Sequence, residues 1–231
     1  MRKIFFSSVA IATLMLFLLA GSSFAAENSN TGFYLGISCG YVIPQTLTIS
    51  DPDNSSRQFD ATLNNGYFVG VTTGWQTPFT QRIMAMEIEY NYIRNNFDNS
   101  KTIPNIMGNG PGTIDGTIGI HALLFNVKAR YPEGRIHPYA GFGLGWSIVQ
   151  LGDLTITGGA GPSEKGNIGN GFCWQLMTGV DFDITPKVAV GIGYKYLATK
   201  PTIGSNGDSD RIHVDADFRT SMINAGLIFT F

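Results

Sequence analysis

The chain has 231 residues with 15 basic and 17 acidic side chains, a formal charge of −2, and only 14% of its residues are charged. A near-neutral chain without a Lys/Arg run carries no electrostatic footprint for nucleic acid. Twenty-nine glycines and 12% aromatic residues argue against helices, because an interior glycine costs a helix about 1 kcal/mol relative to alanine.

The first element is not part of the fold. Arg2 and Lys3 form a positive head, an apolar run follows from Val9 to Ala20 broken only by Thr13, and Ser23 and Ala25 stand where a signal peptidase reads small residues. This is the pattern of a secretory signal, so cleavage is expected between Ala25 and Ala26, with 1–25 removed and 26–231 forming one domain. The run is shorter than the roughly 20 residues of a spanning helix. Leu19-Ala20-Gly21-Ser22 resembles a lipoprotein box, but Ser22 stands where the lipidated Cys would be. Losing Arg2 and Lys3 takes the 15 basic residues to 13 against 17 acidic ones, a formal charge of −4.

Eight segments then alternate with period two, the signature of strands with two different faces: 33–41, 67–76, 84–92, 125–131, 140–148, 172–183, 188–196 and 223–231. In 140–148, for example, Ala140, Phe142, Leu144, Trp146 and Ile148 alternate with Gly141, Gly143, Gly145 and Ser147. Ile118, Ile120, Ala122 and Leu124 run out of phase with Phe125 onward, which predicts a bulge near Leu123 and Leu124. Ile228 is apolar on a nominally polar face. The connections 76–81, 132–136 and 185–187 are tight, with Pro78, Pro132, Gly134 and Pro186 as turn formers. The connections 43–60, 95–113, 150–167 and 200–213 are long and rich in Gly, Asn, Asp, Ser and Pro.

Alternation alone fits a soluble barrel as well. The outward face is decided by what the other face carries, which is glycine and small residues with charges set singly. An eight-stranded bore is just wide enough to be filled by side chains. Small residues and compact ion pairs fit there, whereas rows of Phe, Trp, Leu and Ile fit acyl chains. Tyr and Trp near the strand ends would form interfacial girdles. In lipid every backbone group must be paired, so the sheet must close. The reading is an all-β, eight-stranded antiparallel transmembrane β-barrel with short periplasmic turns and long extracellular loops.

Two motifs carry a family resemblance. The terminal stretch Ile223 to Phe231 places Leu227, Phe229 and Phe231 at every second position, and looks like the C-terminal signal read by the barrel-assembly machinery of outer membranes. His137-Pro138-Tyr139-Ala140-Gly141-Phe142-Gly143-Leu144-Gly145 resembles the fifth strand of opacity-type surface antigens. The layout of the whole mature chain is similar to the OmpA transmembrane domain, without the peptidoglycan-binding domain of full OmpA proteins. The resemblance implies a bacterial outer-membrane location with loops at the cell surface, and a role in adhesion, envelope integrity or antigenic contact.

Glu87, Glu89, Lys128, Arg130, Asp181, Asp183 and Lys195 all fall on the polar face. Glu87 and Glu89 neighbour Lys128 and Arg130 if consecutive strands pair. The first reading is an interior ion-pair network that compensates buried charge; a gated or narrow ion path, or acid–base chemistry, are the alternatives. His121, His137 and His213 are read as solvated residues at loop edges, His213 with Asp215 and Asp217 making a weak metal-like grouping. His121 has no serine nearby in sequence and no Gly-x-Ser-x-Gly is present, so a lipid-modifying enzyme is a distant rival. Cys39 and Cys173 fall on opposite faces of non-neighbouring strands, too far apart for a disulfide. The glycine-rich stretches 108–112 and 158–162 lack the Lys-Ser/Thr and helix of a phosphate loop. No catalytic, metal or cofactor residues are assigned. The expected partners are outer-membrane lipid and lipopolysaccharide, the assembly machinery and an unidentified extracellular ligand, with the barrel a monomer.

Overall fold

Strands whose side chains alternate between large apolar and small or polar residues pair into one sheet that can bury only its second face. A computed structural model describes residues 32–43, 46–51, 54–100, 102, 111–152, 155–157, 168–204 and 213–231. The stretch 1–31, with the expected cleavage between Ala25 and Ala26, lies outside the described residues. The strands are β1 (Phe33–Val42), β2 (Thr46–Asp51), β3 (Asn54–Gln76), β4 (Met84–Phe97), β5 (Thr113–Asp115), β6 (Thr117–Arg130), β7 (Ile136–Leu151), β8 (Thr155–Thr157), β9 (Ile168–Thr185), β10 (Val188–Thr199), β11 (Thr202–Gly204) and β12 (His213–Thr230).

Eight of them close a ring in the order β1, β3, β4, β6, β7, β9, β10, β12. Closure is made by β1, where Leu35 lies opposite Thr73 of β3 on one side and Phe229 of β12 on the other. β2 continues β1 between β3 and β12, and β11 continues β10 between β9 and β12. β5 and β8 pair with each other. The chain is therefore a closed eight-stranded antiparallel barrel, which leaves the ring without a free edge, as hydrocarbon demands.

The large apolar residues point out. Ile37, Phe125, Leu144, Trp146, Leu176 and Ile192 are exposed on the outer wall, Ile192 at 69%. Inside, glycines make room for rings. Tyr34 on β1 stands opposite Gly74 on β3, and a Cβ on Gly74 would lie 2.8 Å from Tyr34 Cε1. Tyr139 fills the space in front of Gly179 and Gly193 in the same way, the aromatic covering of glycine that sheets use to pack a bare backbone.

The expected bulge in β6 is absent. Its register runs unbroken against β4, from Ala129 opposite Met84 to Thr117 opposite Asn96, and against β7 from Arg130 to Ile118. What changes is the polarity of the bore. Ile118, Ile120, Ala122 and Leu124 face inward at the loop end, where they join Phe68, Ile93, Phe97, Val149, Phe218 and Met222 in an apolar core. Asn126 and Lys128 face inward nearer the turn end, while Phe125 and Val127 face out. Ile228 is half-buried on the inner face.

The tight connections form as expected, with one surprise. The β3–β4 turn holds a 3-10 turn at Pro78–Thr80, followed by Gln81 and Arg82 at positive φ (54° and 64°) without a glycine. Thr77 stabilises it, its hydroxyl donating to Met84 O at 3.0 Å. The segment 43–60, read as a loop, instead carries β2 and the start of the 23-residue β3.

Candidate functional site

Alternation puts one residue in two inside, so each strand contributes its polar members to the bore at fixed heights. Near the turn end, Lys128 of β6 lies 2.6 Å from Glu87 of its neighbour β4. The Tyr34 hydroxyl donates to the same carboxylate. The ammonium is flanked by two ring faces, 5.2 Å from the centroid of Tyr34 and 5.0 Å from that of Tyr139, an arrangement that stabilises a desolvated cation. Arg130 turns to β9 instead, with Nη2 3.4 Å from Asp183 and Nε 4.0 Å from Asp181.

Glu89 makes its ion pair with β10 rather than with β6. Its carboxylate bonds the Lys195 ammonium of β10 and accepts from Gln175 at 2.6 Å and Asn126 at 2.9 Å. Gln175 also donates to Asn126 Oδ1 at 2.8 Å. Each of these charges meets an opposite one, with Lys128 and Glu87 pairing across neighbouring strands while Arg130 and Glu89 turn to β9 and β10. Lys128, Arg130 and Lys195 serve Glu87, Asp183 with Asp181, and Glu89 respectively. Buried ions are tolerated when paired and hydrogen-bonded in this way.

His137 is not a loop-edge residue. It is 2% exposed inside the turn-end mouth, with Nε2 2.9 Å from Asp183 and Nδ1 2.8 Å from Tyr131 O. Tyr34, Tyr139, Asn126 and Gln175 are the other members sequence reasoning missed. Their parity with Lys128, Glu87 and Asp181 on the inner face was the available signal. His121 stands on the outer wall, with Nδ1 2.6 Å from the Tyr90 hydroxyl and its ring 4.8 Å from that of Tyr92. Of the His213 grouping, only the Asp217 side chain lies within the described residues, and it holds Arg219 and Lys200. Among the described residues no cluster of three His, Cys, Asp or Glu is arranged for a metal. Cys39 is exposed and Cys173 buried, and both are free. Leu227, Phe229 and Phe231 are exposed.

Below the apolar core the network leaves a cavity of about 60 Å³, bordered by Ser38, Glu87, Glu89, Lys128, Asp181 and Lys195 among others. That is space for a few waters, and the Ser38 hydroxyl has no protein partner.

A closed ring with an apolar outer wall and a bore filled by ion pairs is the architecture of an outer-membrane barrel, and the family comparison agrees. The model of the outer membrane protein beta-barrel domain matches residues 11–231. The chain belongs to that family. Membership places this outer membrane protein in the bacterial outer membrane. No curated protein matches its sequence. Among solved structures it is similar to OprG of Pseudomonas aeruginosa, at 16% identity and a TM-score of 0.56, covering 87% of this chain and 98% of that one. The neisserial surface protein A is similar at 16% identity and 0.51, covering 88% and 100%. The Escherichia coli outer membrane protease OmpT is similar at 10% identity and 0.52, covering 89% and 99%. At such identities the likeness is one of fold.

Proposed function

We propose that this outer membrane protein is a structural or surface-interaction barrel, without enzymatic activity, whose long loops make contacts outside the cell for adhesion, envelope integrity or antigenic exposure. The observation that supports this is the filled bore. An apolar core spans its loop half, an ion-pair network spans its turn half, and the cavity between the paired groups holds only about 60 Å³. A barrel packed in this way has its wall and its loop end to work with. His121, the residue an enzyme reading would use, has Tyr90 and Tyr92 around it on the lipid face rather than a nucleophile. The same proposal takes 1–25 as a cleaved signal, Leu227, Phe229 and Phe231 as the assembly signal, and the barrel as a monomer.

The competing reading is a narrow pore, favoured by the polar cavity. Reconstitution into planar bilayers separates the two. The folded barrel is expected to leave the bilayer silent, and reproducible single-channel steps that vanish on heat denaturation would replace this proposal with the pore.

A further inference from the structure

The outer wall of β10 and β12 carries charges where a lipid-facing surface ends. Arg219 lies directly across from Ala198, which in turn lies across from Trp174 on β9. One step toward the turn end are Tyr196 and Ser221, and Tyr194 donates to or accepts from the Ser221 hydroxyl at 2.7 Å. The Trp174 and Tyr196 rings are 5.5 Å apart. This is an aromatic girdle with cations set immediately above it.

The height can be counted. Phe229 and Arg219 occupy the outer face of one strand, and the interval from 229 to 219, at about 3.3 Å per residue and a tilt near 40°, rises about 25 Å along the membrane normal. That is the whole apolar band of an outer-membrane barrel, so Arg219 sits at the headgroup layer of the loop-side leaflet.

The charges are also held. Asp217, two residues before Arg219 on the same face, accepts from its Nε at 3.0 Å and its Nη2 at 2.9 Å. Two of the five guanidinium donors are turned to that carboxylate, while the side chain stays 60% exposed. Lys200, 77% exposed, comes within 3.8 Å of the same oxygen. Among the described side chains, two cations share this one anion. At the loop-side ends of β6, β7 and β9 the outer face carries Thr117, Gln150 and Asn170, all neutral.

We propose that Lys200 and Arg219 bind a phosphate group of an outer-leaflet glycolipid, with Trp174, Tyr194 and Tyr196 forming the platform on which its sugars and upper acyl carbons rest. A guanidinium braced by a carboxylate presents its remaining donors in a fixed plane, the geometry that suits phosphate. Asp217 is then a positioning residue for Arg219. The inference rests on the membrane placement of the barrel and is independent of what the loops contact.

The test uses the full folded barrel in detergent micelles, titrated with bis-phosphorylated lipid A, with the same glycolipid stripped of phosphate, and with inorganic phosphate, and read by native mass spectrometry. Lipid A is expected to bind at least about tenfold more tightly than its phosphate-free form, the worth of one charge-assisted contact. K200Q/R219Q is expected to remove that preference. Lys200→Glu, at a position outside the packed wall, should weaken binding in the same direction with no burden on folding. Arg94→Gln, which removes an exposed cation on the opposite side of the barrel, should not. Unchanged binding in K200Q/R219Q or Lys200→Glu overturns the proposal, as does equal loss in Arg94→Gln or displacement of lipid A by equimolar inorganic phosphate.

Discussion

Glu89 on β4 and Lys195 on β10 meet across the full width of the barrel. Around the ring of eight, β4 and β10 are four strands apart in either direction, so this ion pair is a strut across the lumen and not a contact between neighbours. Their side chains are 1% and 7% exposed. Removing one partner of such a pair leaves the other charged and buried, at a cost of about 3–5 kcal/mol. Lys195→Met is therefore expected to lower the urea midpoint of the barrel in vesicles, followed by tryptophan fluorescence. Glu89→Leu added to it should restore most of the loss. A Lys195→Met barrel within about 0.5 kcal/mol of the parent, the range of an ordinary surface change, would show that the strut carries nothing.

A second prediction concerns Tyr34 and Gly74. The ring of Tyr34 occupies the place of a Cβ on Gly74, so Gly74→Ala forces the ring off its rotamer and away from Glu87. Overpacking of this kind costs about 1–3 kcal/mol. Tyr34→Ala should lose stability as well, but the double variant should fall short of the sum, with a coupling of about 0.5–3 kcal/mol. Strict additivity would mean that the two residues do not press on each other.

The outer wall predicts a depth profile. Leu144 and Ile192 lie in the middle of their strands and face out, while Ile136 opens β7 at the turn end. Arginine at Leu144 or Ile192 should cost about 2–4 kcal/mol and at Ile136 about 0–1 kcal/mol. The measurement is unfolding free energy in vesicles. Equal costs at all three positions would contradict a bilayer around this wall.

The places where sequence reasoning succeeded and failed divide along the membrane. Where lipid meets one face and ion pairs the other, the two faces differ in kind, and segments such as 140–148 and 188–196 can be read directly. At the loop end of β6 the inner face is apolar as well. In the sequence the apolar phase of Ile118, Ile120, Ala122 and Leu124 therefore shifts against Phe125, although the backbone register is unbroken. Above the membrane neither face is selected by lipid, so the polar stretch at the start of β3 looks like loop. For the interior charges, the inner face was legible from parity, but the partners were not. A long side chain in a bore can reach across it, and nothing in the spacing of Glu89 says that it turns to Lys195 on the opposite wall.

The two thiols give the last prediction, because they sample the two sides of the wall. Cys39 lies on the outer face of β1 between Val69 of β3 and Ala225 of β12, in the apolar belt. Cys173 is buried in the apolar core of the bore. A thiol reacts only where a reagent can reach it as thiolate. In vesicles, a charged water-soluble maleimide should label neither residue of the folded barrel. An apolar maleimide that partitions into the bilayer should label Cys39, slowly because the apolar belt disfavours the thiolate, and spare Cys173. Both should react fully after denaturation without reductant, since neither is in a disulfide. The decisive readout is peptide mass after digestion. Fast labelling of Cys173 in the folded barrel would mean that the apolar half of the bore is open to solvent, and labelling of Cys39 by the charged reagent would mean that its face of the wall meets water.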